Sequence, residues 1–251
     1  MPSQVEESGK FNQIMDKIII PSEATKYILF QRTQYLRFAN RRLLNTLQRL
    51  LPFSIYNIAV LFESKISKRR VAKRYQEDME KEFEMIKKFL PKECSALLDI
   101  GCGVAGIDVL LGKHYEKNDI KIFLLDKTKI EKKVWYGFRQ SGAFYNSLPI
   151  AKKVLLGNGI NDKNVVLLET NDRNEIHIDG KVDLVLSLIS WGFHYPVETY
   201  LDRVYDMLSE GGSLIIDIRK SSDGVDKVSE KFSTVSIIRE ITKYDRVLAI
   251  K

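Results

Sequence analysis

Cysteine and histidine are scarce in this chain, two and three among 251 residues. Cys94 and Cys102 are too few for a disulfide framework, which excludes the small stapled scaffolds and predicts reduced thiols. No group of His, Cys, Asp and Glu has metal-ligand spacing, so no metal site is expected. Long apolar runs are also missing. The longest, Leu50 to Phe62, is interrupted by Pro52, Ser54 and Asn57 and is too short to span a bilayer. Met1 to Lys10 is polar and acidic rather than a secretory signal, so the expected location is cytoplasmic. Repeats and low-complexity segments are absent.

Acidic residues are nearly absent from one stretch. Residues 32–74 hold eleven Lys and Arg against Glu63 alone, a balance of +10, whereas the whole chain carries +7. The high pI therefore belongs to this segment. Scattered charge of this kind is commonly a solvated helical face. Its lopsidedness also suits an anionic partner: a phosphorylated sugar, an anionic membrane surface, or, less favoured, RNA. Ser22 after Pro21 and the stop at Pro52 predict a helix over 22–51, with Leu36, Leu43, Leu47 and Leu50 on one face. A second helical region is expected over 55–73. A charged helix over 74–90 follows, with Tyr75, Met79, Phe83, Ile86 and Leu90 on one side.

From residue 97 onward apolar strands alternate with helices, the pattern of a parallel sheet covered on both faces. Strands are expected at 97–100, 122–126, 165–170, 182–188 and 213–219, and helices at 106–115, 197–209 and 223–231. The runs Val235–Ile241 and Val247–Ile250 predict a terminal antiparallel hairpin. The first strand ends in Asp99-Ile100-Gly101-Cys102-Gly103-Val104-Ala105-Gly106, a glycine-rich turn that opens a helix. Such a turn lets the main chain approach a nucleotide-like cofactor closely. Gly101-x-Gly103-x-x-Gly106 with Asp126 also satisfies the dinucleotide pattern. Against a nicotinamide enzyme stand the missing separate catalytic domain, the terminal hairpin and the absence of any Tyr-x-x-x-Lys pair.

These ordered motifs resemble the class I S-adenosylmethionine-dependent methyltransferases over residues 75–251. The resemblance implies a Rossmann-like, mostly parallel seven-stranded sheet with a C-terminal antiparallel hairpin; the basic α-helical extension that precedes it, residues 1–74, is expected to act as a lid or docking element. The resemblance also implies S-adenosylmethionine as cofactor. Asp99, Gly101, Cys102, Gly103 and Gly106 then form the first motif, Asp126 holds the ribose hydroxyls and Asn171-Asp172 meets the adenine. Ser187 ends the fourth strand at the cofactor. Methyl transfer to a hydroxyl needs a base, and this fold presents such groups in the loop after that strand. Here it reads Ser187-Leu188-Ile189-Ser190-Trp191-Gly192-Phe193-His194-Tyr195-Pro196. His194 is the candidate base, with Tyr195 beside it. Trp191, Phe193 and Tyr195 form either an aromatic platform or core. The loop lacks the Asn-Pro-Pro-Tyr of amino-methylating enzymes. Together with Phe144-Tyr145-Asn146-Ser147-Leu148 it is similar to methyltransferases of surface-polysaccharide pathways, which implies O-methylation of a sugar or sugar-phosphate. An RNA methyltransferase and a non-catalytic cofactor-binding partner protein remain the alternatives. Tyr136 to Leu148 and Gly157-Asn158-Gly159 are read either as a pocket border or as a buried cluster closed by a turn. Asp217 and Arg219 are placed where they could reach substrate, and His114 and His177 are expected to be structural.

Overall fold

The computed structural model describes residues 17–37, 55–130, 145–171 and 173–251. Its centre is a seven-stranded sheet of β1 (Ala96–Ile100), β2 (Lys121–Asp126), β5 (Val165–Glu169), β6 (Val182–Ser187), β8 (Leu208–Arg219), β9 (Thr234–Glu240) and β10 (Tyr244–Ile250). The strand order is β5-β2-β1-β6-β8-β10-β9. The first five strands in that order run parallel, and β10 is antiparallel to both β8 and β9. The expected mostly parallel sheet with its terminal hairpin is therefore observed. A two-stranded ribbon, β3 (Lys129–Ile130) and β4 (Tyr145–Asn146), follows β2. Ser190–Tyr195 forms the extended segment β7.

Continuous apolar runs in β1, β2 and β6 follow from helices covering both faces. Leu97, Ile122, Leu124, Leu184 and Leu186 point to one core, and Leu98, Phe123, Leu125 and Val185 to the other. The first core is closed by α1 (Thr25–Gln31), α3 (Lys68–Ile86), α4 (Gly106–His114) and α5 (Leu148–Gly157), with α2 (Ile55–Ile66) alongside. The second is closed by α6 (Leu201–Met207) and α7 (Gly224–Lys231). In α3, Val71, Tyr75, Met79, Phe83 and Ile86 are buried at helical spacing while the other faces are charged, as the sequence predicts.

The amino-terminal region departs from expectation. The helix predicted over 22–51 ends at Gln31, because Arg32 leaves helical geometry (φ −122°, ψ 72°) and a short 3-10 turn then buries Tyr35. Tyr35 hydrogen-bonds Asp78 of α3, so tertiary packing outweighs local propensity here. Leu43, Leu47, Leu50 and Pro52 lie outside the described residues. The helices predicted over 55–73 and 74–90 break instead at Ser67, and α3 runs unbroken through residue 74. The helix predicted over 197–209 is confined to Leu201–Met207, and β8 begins at Leu208 because that residue pairs with Val182.

Candidate active site

The carboxyl ends of β1, β2, β5, β6 and β8 meet at one edge of the sheet. There β1 turns through Gly101 (φ +80°) and Gly103 (φ +56°), conformations that favour glycine. The turn is pinned to the neighbouring strand: Gly101 N–H donates to the Leu125 carbonyl at 2.7 Å, and Gly103 N–H to Asp126 Oδ2 at 3.0 Å. Space matters as much as φ. A Cβ on Gly101 would lie 1.8 Å from Ser190 Oγ, and one on Gly103 would lie 2.8 Å from Gln31 Oε1. The turn is thus covered by β7 on one side and by α1 on the other.

Gly106 opens α4, and its N–H donates to the Tyr75 hydroxyl at 3.1 Å. Tyr75 comes from α3 and is 3% exposed; burial pushes its hydroxyl well above the ordinary phenol range, so it stays protonated. A pyrophosphate held at a helix amino terminus needs such an N–H group free. Here a phenol takes it, which argues against the dinucleotide mode of binding.

Asp126 is the organising carboxylate. Its Oδ2 accepts from Gly103 N–H and from Asn146 Nδ2 at 2.8 Å, and its Oδ1 accepts from Lys127 N–H at 2.7 Å. Burial raises its pKa to about 6 against these stabilising donors. Gln31 Nε2 donates in turn to Asn146 Oδ1 at 3.3 Å, giving a relay from α1 through β4 to Asp126. Asp99 lies beneath the turn beside Asp108 of α4. Burial and the neighbouring carboxyl hold Asp99 well above the usual carboxylate range, and burial lifts Asp108 to about 7. Cys102 is buried and free of any disulfide, and burial with the nearby carboxylates pushes its thiol up, which keeps it protonated.

At the end of β5 the Thr170 N–H donates to the Asp126 carbonyl at 3.0 Å. The buried Thr170 Oγ1 has no hydrogen-bond partner among the described residues, the signature of a hydroxyl available to a ligand. Asn171 is placed differently. It is exposed, and its Oδ1 accepts from the Arg173 and Glu175 N–H groups, closing its own turn. Asp172 lies outside the described residues, as do Tyr136, Gly137, Phe138, Ala143 and Phe144. In the Gly157-Asn158-Gly159 turn, Asn158 pairs with the Ile19 backbone through Oδ1 and Nδ2, both at 2.8 Å, so this turn anchors the amino-terminal segment.

Ser187, expected at the cofactor, serves as a strut in the structure. Its fully buried hydroxyl donates to the Ile100 carbonyl at 2.8 Å and accepts from Trp191 N–H at 3.0 Å, which fixes where β7 begins. The expected loop after β6 is this extended segment. Trp191 is fully buried, donates Nε1–H to the Val197 carbonyl at 2.9 Å and belongs to the core. Phe193 is half-buried between Tyr244, with ring centroids 5.4 Å apart, and the Arg219 guanidinium, 4.3 Å from its ring centroid. His194 is half-buried with its ring edge-on to Phe193 at 4.8 Å. The Tyr195 hydroxyl hydrogen-bonds Ser190. Burial, the neighbouring Tyr200 and the charges of Asp126 and Asp99 hold it well above the ordinary range.

Arg219 donates Nε–H to the Phe193 carbonyl at 2.7 Å and pairs with no carboxylate among the described residues. Asp217 does not reach the site as a free acid. It is fully buried and gripped by Arg246, Nε to Oδ1 at 2.7 Å and Nη2 to Oδ2 at 2.9 Å. The other histidines are structural: His114 packs between Phe83 and Tyr115, and His177 is exposed beside Glu175. Among the described residues no metal-binding cluster occurs.

The structure thus gathers Asp99, Gly101, Cys102, Gly103, Gly106, Asp126 and Tyr195, while His194 precedes Tyr195 in β7 and packs against the Phe193 ring. It adds Gln31, Tyr75 and Thr170, to which the sequence motifs assign no site role, and Asn146 and Ser190, which they name only within longer runs. Two of these carry a signal in the sequence. Asn146 lies within the Phe-Tyr-Asn-Ser-Leu run, and Tyr75 is the polar-tipped member of an apolar stripe.

No family model and no curated protein matches the chain. Solved structures do. A candidate O-methyltransferase from Nostoc punctiforme superposes with a TM-score of 0.51 at 17% identity, over 70% of this chain and 56% of that one. A 16S rRNA methyltransferase from T. thermophilus, in complex with AdoMet and guanosine, gives 0.47 at 14% identity over 67% and 41%. A methyltransferase from Pyrococcus furiosus gives 0.48 at 17% identity over 68% and 81%. The chain spans roughly half the length of the first two, at 56% and 41%. The likeness to the Nostoc protein shows that this chain has the Rossmann-like methyltransferase fold.

Proposed function

We propose that this protein is an S-adenosylmethionine-dependent methyltransferase that methylates a hydroxyl of an anionic sugar or sugar-phosphate group. The observation that carries the reading is the site at Asp126, which suits a nucleoside and not a dinucleotide. A buried carboxylate holds the close glycine turn, Thr170, whose hydroxyl has no hydrogen-bond partner among the described residues, is tied to the Asp126 backbone, and the Tyr75 hydroxyl takes the Gly106 N–H that a phosphate needs. Asp126, Asn146 and Thr170 would hold the nucleoside part. When bound, the cofactor supplies an electrophilic methyl group for in-line transfer.

This chain's own residues supply the rest. His194 takes the proton of the acceptor hydroxyl as general base. Tyr195 stays protonated at neutral pH, so it serves as a hydrogen-bond donor and positioner. Arg219, a cation without a carboxylate partner among the described residues, lies beside Phe193 and His194 and favours an acceptor bearing phosphate or carboxylate.

The test is to incubate purified protein with radiolabelled adenosylmethionine and fractionated cell extract. Label in nuclease-resistant glycans or small sugar phosphates is expected. Label in nuclease-sensitive material would assign an RNA substrate. Binding without transfer to any fraction would assign a cofactor-binding partner protein. With the acceptor in hand, Arg219→Met should raise its KM by roughly 10–100-fold, the loss of a hydrogen bond to a charged group at about 1.5–3 kcal/mol. Arg219→Lys, which keeps the charge, should recover part of the affinity for the anionic acceptor, and the KM of a neutral acceptor analogue should change much less than that of the anionic one in Arg219→Met.

A further inference from the structure

Helix α2 divides into two faces of opposite character. Val60 and Glu63 are fully buried on the inner face. On the outer face Ile58, Leu61, Phe62 and Ile66 are 53%, 47%, 59% and 56% exposed. Their spacing of i, i+3, i+4 and i+8 places them in one stripe along the helix. Single exposed apolar residues are ordinary on a protein surface, but four large ones in one stripe mark an interaction face.

The charge beside the stripe is of one sign. Lys65 lies within it, and Lys68 and Arg69 follow across the Ser67 break at the start of α3, all three exposed. With Arg37 and Arg70 they line one open cleft. Glu63, the only acidic residue of the segment, does not offset them at the surface. It is turned inward, where its carboxylate accepts the Arg37 N–H at 2.9 Å and pairs with Arg70. No carboxylate pairs with Lys65, Lys68 or Arg69 among the described residues.

We propose that this face is a docking surface for an anionic lipid bilayer. The stripe seats at the boundary of headgroups and acyl chains while the cations meet lipid phosphates. Polyanion binding alone would use the cations but would leave Ile58, Leu61 and Ile66 in water with nothing gained. The combination of an aliphatic stripe with a purely cationic rim fits a membrane surface. No helix among the described residues is long and apolar enough to cross a membrane, so the association is peripheral. The surface and the site share one helix: α3 carries Lys68 and Arg69 at its first turn and Tyr75, the partner of Gly106, farther along.

The test is co-sedimentation of the full chain with vesicles of phosphatidylcholine alone and of phosphatidylcholine with phosphatidylglycerol. Binding is expected to the anionic vesicles only, and to weaken at high salt. Two sets of variants separate the contributions: Phe62→Ser with Ile66→Ser, and Lys65→Glu with Lys68→Glu and Arg69→Glu. Each should reduce vesicle binding at least tenfold. All five positions are exposed, so circular dichroism and thermal unfolding should match the parent. Three kinds of outcome would overturn the proposal. One is vesicle binding without the expected selectivity, either equal for both vesicle types or indifferent to either set. Another is tight RNA binding without vesicle binding. The third is a dimer abolished by Phe62→Ser in a protein that ignores vesicles.

Discussion

His194→Ala should lower kcat by roughly 10²–10⁴-fold, the usual worth of a positioned general base, while leaving cofactor affinity within about twofold. Backbone contacts made by its neighbours hold the segment that carries His194. Ile189 N–H donates to Asp217 at 3.1 Å, Trp191 N–H to Ser187, and the Phe193 carbonyl accepts from Arg219. Truncation to alanine removes the edge-on pairing with the Phe193 ring, worth about 0.5–1.5 kcal/mol, which is small beside the catalytic effect. Methyl-transfer kinetics together with calorimetric titration of the cofactor separate the two quantities. A kcat reduced less than threefold would place acceptor deprotonation on another group. A loss of cofactor binding with the fold intact would make His194 a binding residue.

The largest effect on stability is expected from Arg246→Met, about 3–5 kcal/mol. Arg246 is 1% exposed and lies between Asp217, which is fully buried, and Glu82 of α3, at 2.7 Å. These carboxylates hold the guanidinium firmly protonated despite its burial. Removing it strands the Asp217 charge in the core, where the Ile189 N–H still donates to it but no cation faces it among the described residues. It also removes the only ion pair among the described residues that ties α3 to the sheet. Urea unfolding followed by circular dichroism measures the loss. Arg246→Met with Asp217→Leu should recover much of it, because the buried Asp217 charge is then gone as well. A single-variant loss below about 1 kcal/mol would contradict this role.

The central sheet is legible in the sequence because its physics is local. Parallel strands buried on both faces read as unbroken apolar runs, and Gly101 and Gly103 mark a turn that other residues would strain. Asp126 can be placed because the end of β2 is marked by the end of an apolar run. What escapes depends on approach across long sequence separations. Tyr75 reaches Gly106 over 31 residues, and Gln31 reaches Asn146 over 115. Neither leaves a periodic signature. The shortened first helix shows the same limit: Leu36, Leu43 and Leu47 keep helical spacing, yet the helix stops where Tyr35 turns in toward Asp78. Ser187 is ambiguous for a related reason. A serine at a strand end is equally suited to a ligand or to a neighbouring carbonyl, and here the Ile100 carbonyl takes it. The acceptor side is only partly readable, since the role of Arg219 depends on which carboxylates the fold brings near it.

The most direct test of the account is calorimetric titration of the purified protein with S-adenosylmethionine, and separately with NAD, between pH 5 and pH 8. One saturable adenosylmethionine site and no NAD binding are predicted. Ribose hydroxyls donate to an ionised carboxylate, and the buried Asp126 loses its proton near pH 6, so affinity should rise through that region and level off above it. Asp126→Asn, which can keep accepting the Gly103 N–H, should weaken binding roughly 10–100-fold at pH 8 and flatten the pH dependence. Binding of NAD in place of adenosylmethionine, or an adenosylmethionine affinity indifferent to Asp126→Asn, would contradict the account.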